Sequence, residues 1–158
     1  MAETLVPTLL LNLCMVEDKA AGKVLVLDKV DEGDGWGGLT FPGGHVEPAE
    51  SLVGSAMREV AEETGLTVKN LKACGVVDWF NTKTHERWLL FLYKTASFSG
   101  QLINQTDEGR VFWMDTQKLY TTPLAPNMST YLDLFFKEET NEAYTTWDDT
   151  HFDDFTVL

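Results

Sequence analysis

The stretch from Gly43 to Leu66, GGHVEPAESLVGSAMREVAEETGL, decides the fold of this chain. Its apolar residues recur at helical spacing along one stripe, at Leu52, Val53, Ala56, Met57 and Val60. Pro48 suits a first helical turn, and Gly65 suits a C-terminal stop. The sequence therefore predicts one helix that follows a glycine pair and buries a single face.

Three acids, Glu59, Glu62 and Glu63, occupy the last two turns of that helix. At about 100° per residue they lie on one side, next to the apolar stripe. Like charges at this spacing repel each other by roughly 0.2–0.5 kcal/mol per pair, and acids near a helix C-terminus oppose its dipole. A helix with only a structural role gains nothing from this arrangement, so we expect cations to occupy the carboxylates.

The residues before the helix are rich in glycine. Residues 31–44, DEGDGWGGLTFPGG, contain half of the 12 glycines in the chain, which marks a loop whose backbone closely approaches another group. Backbone groups at a helix N-terminus bind phosphate oxygens. Mg²⁺ typically takes one or two carboxylates together with waters and substrate phosphates. The two segments together indicate a site for metal-assisted chemistry on a phosphate.

Taken as a pattern, Gly44, Glu50 and the run Arg58–Leu66 (REVAEETGL) resemble the complete Nudix box, including the aliphatic residues Val60 and Leu66. The resemblance implies an α/β protein with the Nudix α/β/α sandwich, in which a mixed β-sheet lies between helices. It also implies hydrolysis of a nucleoside diphosphate linked to another group, with Mg²⁺ or Mn²⁺ as the cofactor.

The same resemblance implies a role for each residue of the box. Glu59, Glu62 and Glu63 would bind metal and activate water, and Arg58 and Glu50 would be charge partners that orient them. The Gly43 carbonyl would be a further metal ligand, and the Gly44 backbone would approach the substrate. Glu108, in DEGRVFWM, would add another carboxylate to the metal, or it is a turn residue.

Beyond the box, the chain is most similar to MutT-like nucleoside triphosphate diphosphatases. In that group an asparagine near the start of the last helix reads the purine edge, and Asn127 in PLAPN stands there. Its amide offers both a donor and an acceptor, as an oxidised guanine requires. Asparagine is also an ordinary helix N-cap, and the two roles are compatible.

Three further residues are candidates for substrate contacts. His45 follows the glycine pair where the bacterial prototype has lysine, and it can hydrogen-bond phosphate. Lys29 could supply positive charge, although a lone lysine is more often a solvated surface residue. Phe41 could stack on a base, as could Trp79 and Trp113, although most aromatic residues in such a chain are core residues.

Composition limits the class of protein. The 158 residues, 44% of them apolar, fit one domain over 1–158 with an acidic, aromatic tail from about 138. A formal charge of −13 disfavours nucleic acid and anionic membrane as partners. No segment approaches the roughly 18 apolar residues of a membrane span. We therefore expect a cytoplasmic protein with a small-molecule nucleotide substrate.

The tail and the cysteines leave alternatives open. The tail could be disordered, pack on its own domain, or close a homodimer, and its aromatic residues favour packing over disorder. Cys14 and Cys74 lie in apolar runs without metal-ligand spacing, so free thiols are favoured over a disulfide.

Periodicity also predicts the other elements of the fold. Strand-like runs cover 8–16, 23–29, 72–80, 87–98 and 110–115, and a second helix covers 128–139. The order of strands and helices indicates a mixed sheet.

The predicted function is Mg²⁺-dependent hydrolysis of a nucleoside triphosphate, with 8-oxo-dGTP favoured, to the monophosphate and pyrophosphate. This reaction would remove oxidised nucleotides from the cell's pool. The alternatives are a Nudix hydrolase of another linked nucleoside diphosphate, such as a nucleotide sugar or ADP-ribose, and a non-catalytic nucleotide-sensing module.

Overall fold

The computed structural model describes residues 3–158. Its strands, in chain order, are β1 (Thr8–Asp18), β2 (Lys23–Lys29), β3 (Gly38–Thr40), β4 (Gly43–His45), β5 (Leu66–Lys69), β6 (Lys72–Asn81), β7 (Arg87–Thr95), β8 (Ser97–Gly100), β9 (Gln105–Thr106), β10 (Gly109–Asp115), β11 (Glu142–Trp147) and β12 (Thr156–Val157). The helices are α1 (Leu52–Thr64), a short 3₁₀ helix (Thr116–Tyr120) and α2 (Met128–Phe136).

The main sheet is mixed and has the strand order β12-β11-β6-β7-β1-β2-β10-β9. β1 runs parallel to β7 and β11 runs parallel to β6, whereas the pairs β6–β7 and β2–β10 are antiparallel. β5 and β8 form a separate two-stranded sheet, so the apolar run 87–98 divides between two sheets. The predicted mixed sheet is confirmed.

The sheet opens in its middle, between β1 and β2. These two strands pair only next to their turn, at Glu17 with Val24 and Asp18 with Lys23. Beyond that point β4 pairs with β1, and β3 pairs with β2. The glycine-rich loop therefore enters the opening and brings the glycine pair next to the centre of the sheet.

The two helices cover opposite faces of the sheet, each over its own apolar core. On one face Ala56 and Val60 of α1 pack with Cys14, Val16, Leu25 and Leu27. On the other face α2 packs against a larger cluster that includes Met15, Val24, Val26, Val77 and Trp79. Successive residues of β1 and β2 alternate between the two cores, as the period of a strand requires. The layers are those of an α/β/α sandwich.

The ends of both helices differ from the sequence prediction. Ser51 is the N-cap of α1 and its Oγ accepts from the Gly54 N–H at 2.9 Å. Pro48 therefore lies in the preceding loop, and its predicted place in the first turn is wrong. Gly65 ends the helix as predicted, with φ 77°. Helix α2 ends at Phe136, before the predicted Glu139, because Lys137 has an extended backbone.

The acidic, aromatic tail forms the edge of the main sheet. β11 lies alongside β6, and β12 pairs back onto β11. The tail is also held by Asn81, which is 1% exposed and whose Nδ2 donates to Asp149 Oδ1 at 2.7 Å. Packing on the rest of the chain is thus the arrangement seen in this structure.

Both cysteines are free thiols, as predicted, and they lie in different cores. Burial raises the pKa of the Cys14 thiol to about 12. No helix in the described part of the chain is long and apolar enough to cross a membrane.

Gly65→Ala should destabilise the fold more than Gly22→Ala does. Both glycines have positive φ, but a Cβ at Gly22 meets nothing within 4 Å, whereas one at Gly65 would lie 2.7 Å from the Gln101 carbonyl oxygen. We expect a loss of about 1 kcal/mol at Gly22, from the left-handed backbone alone, and about 2–4 kcal/mol at Gly65. Urea denaturation measures both, and equal losses would contradict the steric explanation.

Candidate active site

The glycine pair and the acidic end of α1 meet in direct contact. Gly43 N–H donates to Glu63 Oε2 at 2.9 Å. A Cβ at Gly44 would lie 2.6 Å from Glu59 Oε1, and a Cβ at Gly43 would lie 2.0 Å from the Asn12 carbonyl oxygen. Gly43 has no room for a side chain because the backbone of strand β1 is in the way, and a side chain at Gly44 would displace the Glu59 carboxylate.

Arg58 holds three acids of the predicted site together. Its guanidinium binds Glu50 through two hydrogen bonds, Nε to Oε1 at 2.8 Å and Nη2 to Oε2 at 3.0 Å. Nη1 donates to Glu59 at 2.9 Å and to Glu62 at 3.1 Å. Nη2 also reaches the His45 carbonyl at 3.0 Å. Hydrogen bonds from Arg58 lower the pKa of Glu50 to about 2, so Glu50 stays charged as the fixed partner of the arginine.

Glu63 differs from the other acids of the site because it is buried, with 6% exposure. The pKa of Glu63 is raised to about 8, mainly by burial and also by the charges of Glu59 and Glu108, against the Gly43 N–H and Lys29, which lower it. In the absence of a cation Glu63 is therefore largely protonated at neutral pH.

Glu59 and Glu108 lie near Glu63 and interact with it electrostatically. Burial raises the pKa of Glu59, and Glu62 and Glu108 raise it too, while Arg58 opposes them. Glu108 is an exposed residue in the turn before β10, and its carbonyl accepts from Val30 N–H at 2.9 Å. That bond joins the turn to the end of β2, the strand that carries Lys29. The fold thus gathers Glu59, Glu63, Glu108 and Lys29, which lie far apart in sequence.

The donor set fits a hard divalent cation. Within residues 3–158 no three acidic, histidine or cysteine side chains converge closely enough to form a complete ion cage. Glu59 and Glu62 are both bound to Arg58. Mg²⁺ does not need such a cage, since it takes one or two carboxylates and completes its shell with water and phosphate. A cation beside Glu59 and Glu63 would also offset the cost of ionising the buried Glu63.

A buried polar pair behind the site has no counterpart in the sequence prediction. Asn12, 1% exposed, donates from Nδ2 to Ser55 Oγ at 2.7 Å, and Ser55 Oγ donates to the His45 carbonyl at 3.1 Å. These bonds tie β1, α1 and the end of β4 together. The available signal was the single polar residue within the apolar run LLLNLCMV.

Asn127 is at the N-cap position of α2, but its side chain does not cap the helix. Its backbone is left-handed, with φ 68°, and the side chain makes no capping bond. The Asn127 side chain lies instead beside the Tyr131 hydroxyl. Burial raises the pKa of that hydroxyl, and the Asn127 amide opposes part of the increase. The loop before it is joined to β3 by Ala125 N–H donating to the Leu39 carbonyl at 2.8 Å.

The stacking role predicted for Phe41 does not fit its position. Phe41 is 1% exposed and packs edge-on against Phe135, with ring centroids 5.1 Å apart, so its ring has no open face for a base. The residue is part of the core because the strand pairing of the glycine-rich loop turns it inward. His45, by contrast, is exposed at the end of β4.

Comparison with known proteins gives a family match and two relatives. A model of the NUDIX domain matches residues 11–135. YvcI of Bacillus subtilis, an uncharacterized Nudix hydrolase, is 32% identical over 118 residues, which are 73% of this chain and 72% of that protein. YtkD of the same organism, provisionally named an 8-oxo-dGTP diphosphatase, is 48% identical over 54 residues, which are 34% of this chain and 31% of YtkD.

Among solved structures, a MutT protein from Bacillus halodurans is similar over nearly the whole chain. The TM-score is 0.75 at 26% identity, with 94% of this chain and 97% of that one covered. This similarity agrees with the arrangement of sheet and helices described above.

Glu63→Gln should stabilise the metal-free protein at high pH and have little effect at low pH. The folded-state pKa of Glu63 lies above the ordinary glutamate pKa of 4.5, so the unfolded chain releases this proton first and stability falls as pH rises from about 4.5 to about 8. Glutamine keeps the acceptor for Gly43 N–H and carries no charge. We expect a gain of about 1–3 kcal/mol near pH 9.

Chemical denaturation in EDTA across this pH range measures the effect. Glu62→Gln is the matched control, because its side chain is 59% exposed and it removes the same charge. A Glu63→Gln stability curve parallel to that of the wild type would contradict the assignment.

Proposed function

The chain belongs to the Nudix hydrolase family, and on that premise we propose that it cleaves a nucleoside triphosphate to the monophosphate and pyrophosphate with Mg²⁺ as cofactor. 8-oxo-dGTP is the favoured substrate. The observation that carries this proposal is the close approach of two carboxylates to the glycine pair. Glu63 accepts from the Gly43 N–H, and Glu59 lies where a side chain at Gly44 would stand. Metal-binding oxygens and open backbone meet there, as a diphosphate and its cation require.

The reaction is a hydrolysis. Water attacks one phosphorus of the triphosphate chain, the P–O bond to the bridging oxygen breaks, and that oxygen leaves with the departing phosphate group. The proton of the attacking water passes to a carboxylate of the site. When bound, Mg²⁺ neutralises charge on the phosphate oxygens and lowers the pKa of a bound water.

The protein's own side chains would bind the metal, hold the carboxylates in place and contact the phosphates. Glu59, Glu62, Glu63 and Glu108 would bind metal and position the attacking water. Arg58, locked by Glu50, keeps Glu59 and Glu62 on one side of the helix, so that little reorganisation is needed when the substrate arrives. Lys29 and His45 would contribute positive charge or hydrogen bonds to phosphates in a protein whose net charge is −13.

Two observations support an oxidised guanine as the base. The side-chain amide of Asn127 is not used as a helix cap and has a donor and an acceptor for a purine edge. The similarity to YtkD over 54 residues agrees with this choice, and its short extent leaves the base to be tested.

Glu59→Gln should reduce kcat at least about hundredfold, because a metal contributes several kcal/mol to phosphate chemistry and each 1.36 kcal/mol is tenfold in rate. Turnover is measured by product chromatography with Mg²⁺ on 8-oxo-dGTP, dGTP, the other triphosphates, ADP-ribose and nucleotide sugars. Glu47→Gln, which removes an exposed acid at a position that the box does not specify, is the control.

The same turnover assay, applied to the wild type, distinguishes the candidate functions. Preference for 8-oxo-dGTP over dGTP with release of pyrophosphate supports the proposal. Preference for a linked diphosphate keeps the chemistry and rejects the substrate. Nucleotide binding without turnover on any compound would favour a sensing module over an enzyme.

Asn127→Ala should reduce discrimination between 8-oxo-dGTP and dGTP, because the loss of a hydrogen-bonding side chain from a base edge is worth about 1–3 kcal/mol. We expect kcat/KM for 8-oxo-dGTP to fall about tenfold while that for dGTP changes less. Ser129→Ala, a nearby exposed polar residue of α2, is the control. An equal fall for both substrates would show that Asn127 does not read the oxidised edge.

A further inference from the structure

The C-terminal strand pair β11–β12 lies beyond the region matched by the family model, which ends at residue 135. β11 runs beside β6 with Thr145 opposite Trp79. Ala143 is buried in the core under α2, and Trp147 packs against that core, so alternate residues of β11 face the side of the sheet that carries α2 and Asn127.

The tail brings two aromatic rings onto that face. Phe155 packs edge-on against Trp79 at 6.1 Å and against Tyr131 of α2 at 6.4 Å. Trp147 packs edge-on against Trp88 of β7 at 5.3 Å, and the exposed Phe152 ring stacks on one face of Trp147 at 5.5 Å. We call these five residues, Trp79, Trp88, Tyr131, Trp147 and Phe155, the aromatic wall. Trp88, Trp147 and Phe155 are only partly buried, so the wall is partly open.

The aromatic wall adjoins both ends of the proposed active site. At one end the Asn127 amide lies beside the Tyr131 hydroxyl, and Tyr131 contacts Phe155. At the other end Leu11 and Leu13 of β1 are half-buried against the same core, and they pair with His45 and Gly43 of β4. Apolar side chains of this core therefore extend from the glycine pair across β1 and β7 to the tail.

The aromatic wall also contains a buried donor without an acceptor. Trp79 is 6% exposed, and its indole Nε1–H has no hydrogen-bond partner in the described part of the chain. Leaving such a donor unpaired is costly. A carbonyl or ring nitrogen inserted beside the Phe155 ring would supply the missing acceptor, and nucleobases carry both groups.

We propose that the C-terminal strand pair completes the nucleobase-binding site, with Phe155 and Trp147 as the aromatic surface on which the base packs. This inference rests on the proposed function only in that the substrate is a nucleotide. The surface is uncharged and aromatic, which suits the flat face of a base. Four of the seven acids of the tail, Asp148, Asp149, Asp153 and Asp154, lie in the exposed segment 148–154. They repel phosphates, so the triphosphate is directed towards the metal end.

The test compares wall variants with a matched variant of the opposite face. Phe155→Ala and Trp147→Ala remove wall rings, and Tyr144→Ala removes a half-buried ring from the other side of β11. Calorimetric titration with dGMP, 8-oxo-dGMP and AMP measures Kd without turnover. We expect binding about tenfold weaker or more in the wall variants, since base–aromatic stacking is worth that much, and unchanged binding in Tyr144→Ala.

Steady-state kinetics adds a second readout. In the wall variants KM for the preferred nucleotide should rise, whereas kcat should stay within about threefold of the wild-type value, because the wall is remote from the reacting phosphorus. If Phe155→Ala does not fold, Phe155→Leu replaces it in the test, because leucine keeps apolar volume without an aromatic face. Weaker nucleotide binding by Phe155→Leu at wild-type thermal stability would then support the proposal.

The outcomes separate this inference from the proposed function. Folded wall variants that bind monophosphates as tightly as the wild type would overturn the inference, as would a wild type that binds no nucleoside monophosphate. A wild type that does not cleave triphosphates but binds AMP more tightly than the wall variants do would overturn the triphosphate proposal and leave the aromatic wall standing.

Discussion

The network around Arg58 is the constraint on which the candidate active site depends. A single guanidinium binds Glu50 through two bonds and also contacts Glu59, Glu62 and the His45 carbonyl. Without it, acids spaced along one side of a helix would repel one another and turn towards solvent. Its planar fork can serve several carboxylates at once, which a lysine ammonium would do less well. Glu63 lies outside this network, so burial and the Gly43 N–H determine its charge.

In the proposed function, phosphate chemistry and recognition of the base lie on the two sides of one sheet. Helix α1 and its acids lie on one face, and α2, Asn127 and the aromatic residues of the tail lie on the other. The opening between β1 and β2 connects the two sides, because β3 and β4 pair there with separate partners. A nucleotide that spans this opening would have its phosphates at the glycine pair and its base towards α2.

Local sequence was sufficient for α1, its Gly65 stop and most strands, since each depends on near neighbours in the chain. The position of Phe41 was not predictable in this way. Its motif suggested a ring near the substrate, but long-range packing on Phe135 buries it. The pairing of β11 with β6 was equally hidden, because an acidic, aromatic segment has several compatible partners and the choice depends on the whole sheet.

By itself, then, the sequence determined the local composition of the candidate site. A glycine pair, an arginine and clustered glutamates stand at the spacing of one loop and one helix, where the backbone imposes i, i+3 and i+4 geometry. Only the tertiary structure decided which distant residues join them. The pairing of β2 with β10 brings Lys29 and Glu108 near Glu63. Asn12 supports the loop through Ser55, and Phe155 of the tail packs against Tyr131. Such contacts depend on strand order and burial, which no local pattern encodes.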